Sequence, residues 1–362
     1  MTRLGILTMI PFESNSYFDE MAKRAKEYQI VLFLFSPLSI KPATEMVEGL
    51  RYDTVSDKWE VDQFTIPEYL YDRCFYGEDR KSAEARSIVS WLKSNKNIQF
   101  LGYGLPNKWR LYETLKDVPT ISPYLPKTKK ASSPEKILEE LKKHDEIIIK
   151  PIDGAHGFAV YSIQEINKKI KIRTTKQGNI IEKLFDNVSS VTSWLESLLS
   201  KQIFLIQPRL NNFNSMNEPY DLRVFLQKNE EGKWEEKAKA IRAGKKHGLL
   251  TNISAGAKVY SFQNLKDFTP HLNHNYIQQE LNDILKTLPE ILEDKFHPLF
   301  ELGIDIIIAK DQSLWILDMN SKPGRKIVKM IDPNKLESLY SAPLAYCSYL
   351  ASQNKNVLSN QN

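Results

Sequence analysis

Along the first hundred positions, apolar residues alternate between two spacings. Short apolar runs at residues 4–8, 30–35 and 98–102 read as strands, and the amphipathic stretches 17–28 and 84–96 read as helices. Strand and helix in alternation predict a small α/β unit built on a parallel sheet. Pro119, Pro123, Pro126 and the run Lys127-Thr128-Lys129-Lys130 then predict an exposed connection between lobes.

Beyond it the pattern changes. Residues 134–144 read as a helix, followed by strands at 146–150, 158–163, 170–173, 204–209, 221–227 and 237–242. A long helix is predicted over 276–292, kinked or ended by Pro289, and a last strand pair over 302–309 and 314–319. The result is mixed α+β with much antiparallel sheet, and the polar tail from Gln353 is expected to fray.

Length and composition narrow the class. At 362 residues the chain exceeds one ordinary core and should divide into two or three lobes. Lys+Arg 50 against Asp+Glu 45 leaves +5, too small an excess for a nucleic-acid binder. No apolar run approaches the roughly 18 residues of a membrane span, and the start of the chain does not read as a signal peptide. A soluble, cytoplasmic protein with no nucleic-acid or membrane partner is the expectation. Cys74 and Cys347 form no metal or disulfide pattern and read as small buried residues of a reducing compartment.

Only 14 residues are glycine, so two of them within Asp153-Gly154-Ala155-His156-Gly157 mark a loop where the backbone itself matters. The loop joins strand to strand, and the chain lacks the GxxxxGK[ST] loop that joins strand to helix. It is therefore either an ordinary turn or a hairpin flap over phosphate, with Lys150 at its base. The clearest signal lies near the C-terminus. If Lys310-Asp311-Gln312-Ser313 turns the last strand pair into a hairpin centred on Asp311-Gln312, Asp305 falls opposite Asp318, and Asn320 shares their face. Two facing carboxylates in apolar strands call for a positive charge between them. Mg²⁺, which takes oxygen ligands and commonly one or two carboxylates plus phosphates, suits this set. A turn displaced by one residue would instead send the acids to opposite faces.

Asp221 and Arg223 share a strand face, and on spacing alone a surface salt bridge is the favoured account of them; for Arg242 and Asn252, which could instead reach a transferring phosphoryl group or the reacting carboxylate, spacing alone also favours the bland reading. His271 and His274 lack a third ligand and read as solvated.

Taken in order, Asn107-Lys108-Trp109, Ile149-Lys150-Pro151, the glycine loop, residues 206–210, Asp305 and Asp318-Met319-Asn320 resemble the ATP-grasp superfamily. Residues 67–73, 220–224 and 315–324 are similar, more narrowly, to its endospore coat-associated YheC/YheD group. The resemblance implies an α/β domain over 1–105, a central lobe with the flap over 106–185, a C-terminal lobe with the metal site over 186–352, and the tail 353–362. It further implies that Lys108, Lys150, Gly154, His156 and Gly157 bind the phosphates of ATP, that Gln207, Pro208 and Arg209 lie along adenine, and that Asp305, Asp318 and Asn320 hold Mg²⁺, with Mn²⁺ as a substitute. Arg223, Arg242 and Asn252 are the implied catalytic residues, and Ser321, Lys322, Arg325 and Arg73 the implied substrate contacts. Tyr71-Asp72-Arg73 is either the far wall of the substrate pocket or a buried ion pair. Position 318 is commonly Glu in the superfamily, so the shorter Asp bears on metal geometry.

The activity so implied is an ADP-forming carboxylate–amine ligase acting through an acylphosphate on an amino acid, peptide or spore-coat protein. Two readings compete with it: a kinase without an amine acceptor, and a structural coat protein that binds nucleotide without turnover.

Overall fold

The structure, a computed structural model, describes residues 1–154, 158–176 and 179–359, the last five of these by their backbone alone. The first part runs β1 (Thr2–Leu7), α1 (Ser16–Arg24), β2 (Ile30–Phe35), β3 (Ile40–Lys41), β4 (Met46–Asp53), β5 (Lys58–Thr65), β6 (Tyr69–Asp72), α2 (Arg80–Ser94) and β7 (Gln99–Phe100). β1, β2, β6 and β7 pair in parallel, as the alternation predicts. The sheet is nevertheless mixed. β4 pairs antiparallel with β2 and β3, and β5 hangs on its far side, so the expected parallel sheet is corrected to a seven-stranded mixed one. α2 packs on one face through Val89 and Leu92.

The central part comprises α3 (Lys108–Leu115), β8 (Lys129–Lys130), α4 (Pro134–Leu141), β9 (Glu146–Pro151), β10 (Tyr161–Ile166), β11 (Lys169–Lys176), β12 (Asn179–Phe185), α5 (Val188–Leu199) and β13 (Phe204–Pro208). Its six strands pair antiparallel in the order β12-β11-β10-β9-β13-β8, with Ile137, Leu141, Val191 and Leu195 of α4 and α5 buried on one face. Because β13 lies between β9 and β8, the central lobe extends to Pro208, past the boundary at 185 expected from the sequence. The proline-rich stretch 117–133 is not a free linker. Ile121 and Leu125 are buried in the core of the next lobe, Tyr124 donates to Glu280 at 2.7 Å, and Lys129 and Lys130 form β8.

The last part runs β14 (Tyr220–Lys228), β15 (Trp234–Ala243), β16 (Lys258–Ser261), α6 (Leu265–Phe268), α7 (His274–Lys295), β17 (Glu301–Ile308), β18 (Leu314–Asn320), α8 (Lys326–Ile331) and α9 (Leu336–Ser359). The strands form an antiparallel sheet in the order β16-β15-β14-β17-β18. One face, with Leu222, Val224, Ile304 and Ile306, packs on Ile277, Leu281, Ile284 and Leu288 of α7. That packing carries α7 on past Pro289, itself buried, which does not end the helix or break its core face. α9 returns to the first domain, where Leu344, Tyr346 and Cys347 join Leu4 and Phe18 in one core, and its backbone continues past Gln353 to Ser359 where fraying is expected.

A buried carboxylate joins the first domain to the last. Glu301, on β17, accepts from Arg73 at 2.8 Å, from Arg325 at 2.7 Å, from the Tyr71 hydroxyl at 2.6 Å and from Gln227 at 3.0 Å. Its side chain is 1% exposed. Removing one member of such a network strands the opposite charges in low dielectric. Glu301→Ala is therefore expected to lower stability by about 3–5 kcal/mol in urea unfolding, whereas Glu337→Ala, at the half-solvated pair with Arg24, should cost under about 1 kcal/mol. Similar losses for the two would mean that Glu301 does not clamp the domains.

Candidate functional site

The polar face of the five-stranded sheet is set by register. Arg223 pairs with Asp305, Asp305 with Asp318, Gly303 with Asn320, and Asp221 with Arg242, so all these side chains point the same way. The expected Asp305–Asp318 pairing is present, but by a route the sequence hides. Nearer the turn, Ile306, Ile307 and Ile308 pair with Ile316, Trp315 and Leu314, one residue out of step with the expected hairpin. A β-bulge at Leu317 takes up the extra residue and restores the pairing at Asp318. Gly303 leaves room for a neighbour: a Cβ there would lie 2.7 Å from Nη1 of Arg223 and 2.8 Å from Cβ of Pro323.

The charges on this face are buried and compensated by one another. Arg242 grips Asp221 through Nε at 2.8 Å and Nη2 at 2.5 Å, and its Nη2 lies 2.9 Å from Asp305. Arg223 Nε lies 2.7 Å from the same Asp305 oxygen, and Thr251 donates to Asp221 at 2.5 Å. Asp221 and Arg223 are thus not a mutual surface pair; each takes a partner from the neighbouring strand. Burial raises the Asp305 carboxyl above its usual range despite Arg223 and Arg242. For Asp318 burial acts in the same direction, but Lys108 and Lys150 outweigh it and hold the carboxyl low.

These residues floor a cleft of about 790 Å³ that the central lobe closes from above. Lys108 opens α3, whose first turn is capped by Asn107. Its Nζ lies 3.1 Å from Asp318 and donates to the Gly154 carbonyl at 3.0 Å, joining the base of the glycine loop to β18. Lys150, near the end of β9, donates to the Leu317 carbonyl at 3.1 Å, the bulged position. Gly154 has φ +145, open only to glycine without strain; His156 and Gly157 lie outside the described residues. Gln207, Pro208 and Arg209 border the cleft at the end of β13, where Gln207 donates to Thr128 at 2.8 Å. Nε and Nη2 of Arg209 are buried with no hydrogen-bond partner, and burial lowers its pKa against the opposing pull of Glu146.

The remaining predicted residues divide. Asn252, Ser321 and Lys322 line the cleft; Arg73 and Arg325 do not, being engaged with Glu301. The pair of readings for Tyr71-Asp72-Arg73 resolves residue by residue: Asp72 faces the cleft, while Tyr71 and Arg73 belong to the buried ion network. Sequence reasoning missed Thr251, Tyr76, Arg86 and Lys93, which also line the cleft. None sits in a repeated spacing that marks it out.

Among the described residues no group of three or more His, Cys, Asp or Glu gathers to hold a metal. The donor set Asp305, Asp318 and Asn320 nevertheless fits Mg²⁺, which needs only one or two carboxylates where phosphates supply other oxygens. Oδ1 of Asp305 already lies 2.7 Å from Arg223 and 2.9 Å from Arg242, so a metal at that oxygen would take the place of a guanidinium contact, and the fit rests on the oxygen chemistry of the three side chains.

The description YheC/D like ATP-grasp matches residues 97–350. The chain is 38% identical over 353 residues to the endospore coat-associated protein YheC of Bacillus subtilis (strain 168), spanning 98% of this chain and 97% of that protein. It is 24% identical over 345 residues to YheD of the same strain, spanning 94% of this chain and 75% of that protein. Among solved structures, the ATP-grasp ligase PsnB complexed with minimal precursor superposes with a TM-score of 0.52 at 12% identity, covering 95% of this chain and 99% of that one. The N5-carboxyaminoimidazole synthetase from Staphylococcus aureus gives 0.53 at 10% identity, covering 96% and 77%. At these identities the structural likeness is one of fold.

Lys150 offers a test of the site's electrostatics. Burial pushes its ammonium down from 10.5 to about 8, with Asp318 opposing and Lys108 adding to the fall. Between those values the unfolded chain holds the proton that the folded chain has released, so this group's contribution to stability rises with pH. Relative to Lys150→Met, the native protein should gain roughly 3 kcal/mol across that interval and show a constant difference below it. Unfolding midpoints measured at both ends of the interval would contradict this if the two proteins ran parallel.

Proposed function

Because the chain belongs to the YheC/D like ATP-grasp family, we propose that it is a ligase that spends Mg-ATP to activate a carboxylate and joins it to an amine, forming ADP. The observation that carries this reading is the convergence of two buried or half-buried lysines, Lys108 and Lys150, with Asp305 and Asp318 on one cleft. Four cations, Lys108, Lys150, Arg223 and Arg242, face three acids, Asp221, Asp305 and Asp318, so the floor carries a net +1 that favours a polyanion.

In this reading Lys108 and Lys150 bind phosphate oxygens, and Gly154 lets the loop backbone approach them. Backbone groups of Gln207 and Pro208 hold the base, with Arg209, whose Nε and Nη2 lack hydrogen-bond partners, beside it. Asp305, Asp318 and Asn320 hold magnesium, which when bound offsets charge on the transferring phosphoryl group. Arg223, partly open to the cleft, turns toward that charge, and Asn252 closes the same wall. Arg242, held by Asp221 through two bonds, keeps Asp305 in place and acts as a positioning residue. The carboxylate accepts the phosphoryl group to give an acylphosphate, and attack by the amine releases phosphate. Positioning and charge supply most of such catalysis, so the site needs no protein nucleophile.

The two coat-associated relatives support a second reading, in which this chain is a component of the spore coat that binds nucleotide without turnover. ADP release from Mg-ATP, with and without pooled amino acids and peptides, separates the readings. Release stimulated by amines, lost in Asp318→Ala, is the expected result; stimulation without amide formation would point to a kinase. Mg-ATP should also raise the melting temperature, and Asp305→Asn should remove most of that rise while the unliganded protein still folds. Stabilisation without release would favour the coat component, and neither effect would end the ligase reading.

A further inference from the structure

We propose that the end of the cleft walled by the N-terminal domain is an anion subsite, built by Lys93, Lys322, Arg86 and the Tyr76 hydroxyl, that takes a carboxylate of the substrate other than the one activated. The word substrate rests on the ligase reading above; the site itself does not.

Asp72, 6% exposed, is the anion around which this end of the cleft is built. Its carboxylate lies 2.6 Å from Lys322 Nζ and 3.7 Å from Lys93 Nζ, so one carboxylate is shared by two ammonium groups. Both lysines are otherwise fixed by backbone carbonyls, Lys93 on Tyr103 at 2.6 Å and Lys322 on Cys74 at 2.9 Å. Arg86 comes from α2, anchored on the Gly77 carbonyl at 2.9 Å, and its guanidinium lies 5.5 Å from the centre of the Tyr76 ring. Nζ of Lys322 lies over the same ring at 5.3 Å.

Among the described residues no second acid lines this end of the cleft, which leaves three cations against one anion, a net +2. Two further observations say that the excess awaits an acceptor. The Tyr76 hydroxyl is buried with no oxygen or nitrogen partner and only the weakly bonding Cys74 thiol beside it, and burial, with Asp72 adding, keeps it protonated and therefore a donor. Burial also lowers the Lys93 pKa more than Asp72 restores it, with Lys322 adding to the fall. A carboxylate satisfies all of these at once: it neutralises charge and offers two acceptor oxygens. The ammonium form of an amine would be repelled.

The test is calorimetric titration of the nucleotide-free full chain with the half-amide of glutarate, which carries one carboxylate, and with the diamide, which has the same shape and none, at constant ionic strength. The half-amide should bind about tenfold more tightly than the diamide. That preference should shrink in Arg86→Ala and Tyr76→Phe and vanish in Lys93→Met. Equal affinities, no measurable binding of the half-amide, or a preference unaffected by all three variants overturns the proposal. Thermal stabilisation by Mg-ATP, measured on the same proteins, should be unchanged. Its absence from the native chain would strike at the ligase reading while the half-amide comparison still decides this one.

Discussion

The strand β17 is the element on which the rest depends, because its one polar face carries both Glu301 and Asp305 in an otherwise apolar run. Glu301 gathers Arg73 from the first domain and Arg325 from beyond β18, and Asp305 gathers Arg223 and Arg242. Buried charges of this kind are poor sources of net stability, but they penalise every arrangement that separates them. The position of the N-terminal domain against the cleft, and the path of the chain through Ser321 and Lys322, follow from the first cluster. Arg73 also donates to the Pro323 carbonyl at 3.3 Å, fixing that path directly.

Around Asp305 and Asp318 the same logic of buried charge holds. Facing carboxylates in an apolar hairpin need positive charge, which a bound metal could supply. The fold supplies it with its own side chains: two arginines at Asp305 and one lysine at Asp318. The argument from repulsion alone therefore does not require a metal. What speaks for one is the chemistry of the donor set together with the family, and an anionic ligand would free the acids by drawing the same cations to itself.

Much of this was legible because it is local. The alternation of residues 4–35, the strands 146–150 and 221–227 and the Asp305–Asp318 pairing all express period and turn chemistry within a short window. What escaped was set by distance. β12 is an edge strand with Ile181 and Leu184 exposed, so no buried face announces it. α9 has weak amphipathicity and a proline, Pro343, and owes its place to a core built from β1, β2 and α1 at the other end of the chain. The bulge at Leu317 is invisible to hairpin counting, which reached the right pair through a register that holds only beyond it. Lys93 and Arg86 on α2 face Lys322 across more than 200 residues of sequence, and no spacing encodes that.

Mobility within the charge network follows from how each cation is held. Arg242 is 4% exposed, bound through two nitrogens to Asp221 and 2.9 Å from Asp305, so turning it would break three contacts in low dielectric. Arg223 is 15% exposed with one carboxylate partner, and Lys108 is 19% exposed with one carboxylate and one carbonyl. Of these three cations on the floor, Arg223 and Lys108 are the more exposed and lose the fewest contacts if drawn to an anion. Lys108 also holds the Gly154 carbonyl, so one ammonium group ties the charged floor at Asp318 to the backbone at the base of the glycine loop.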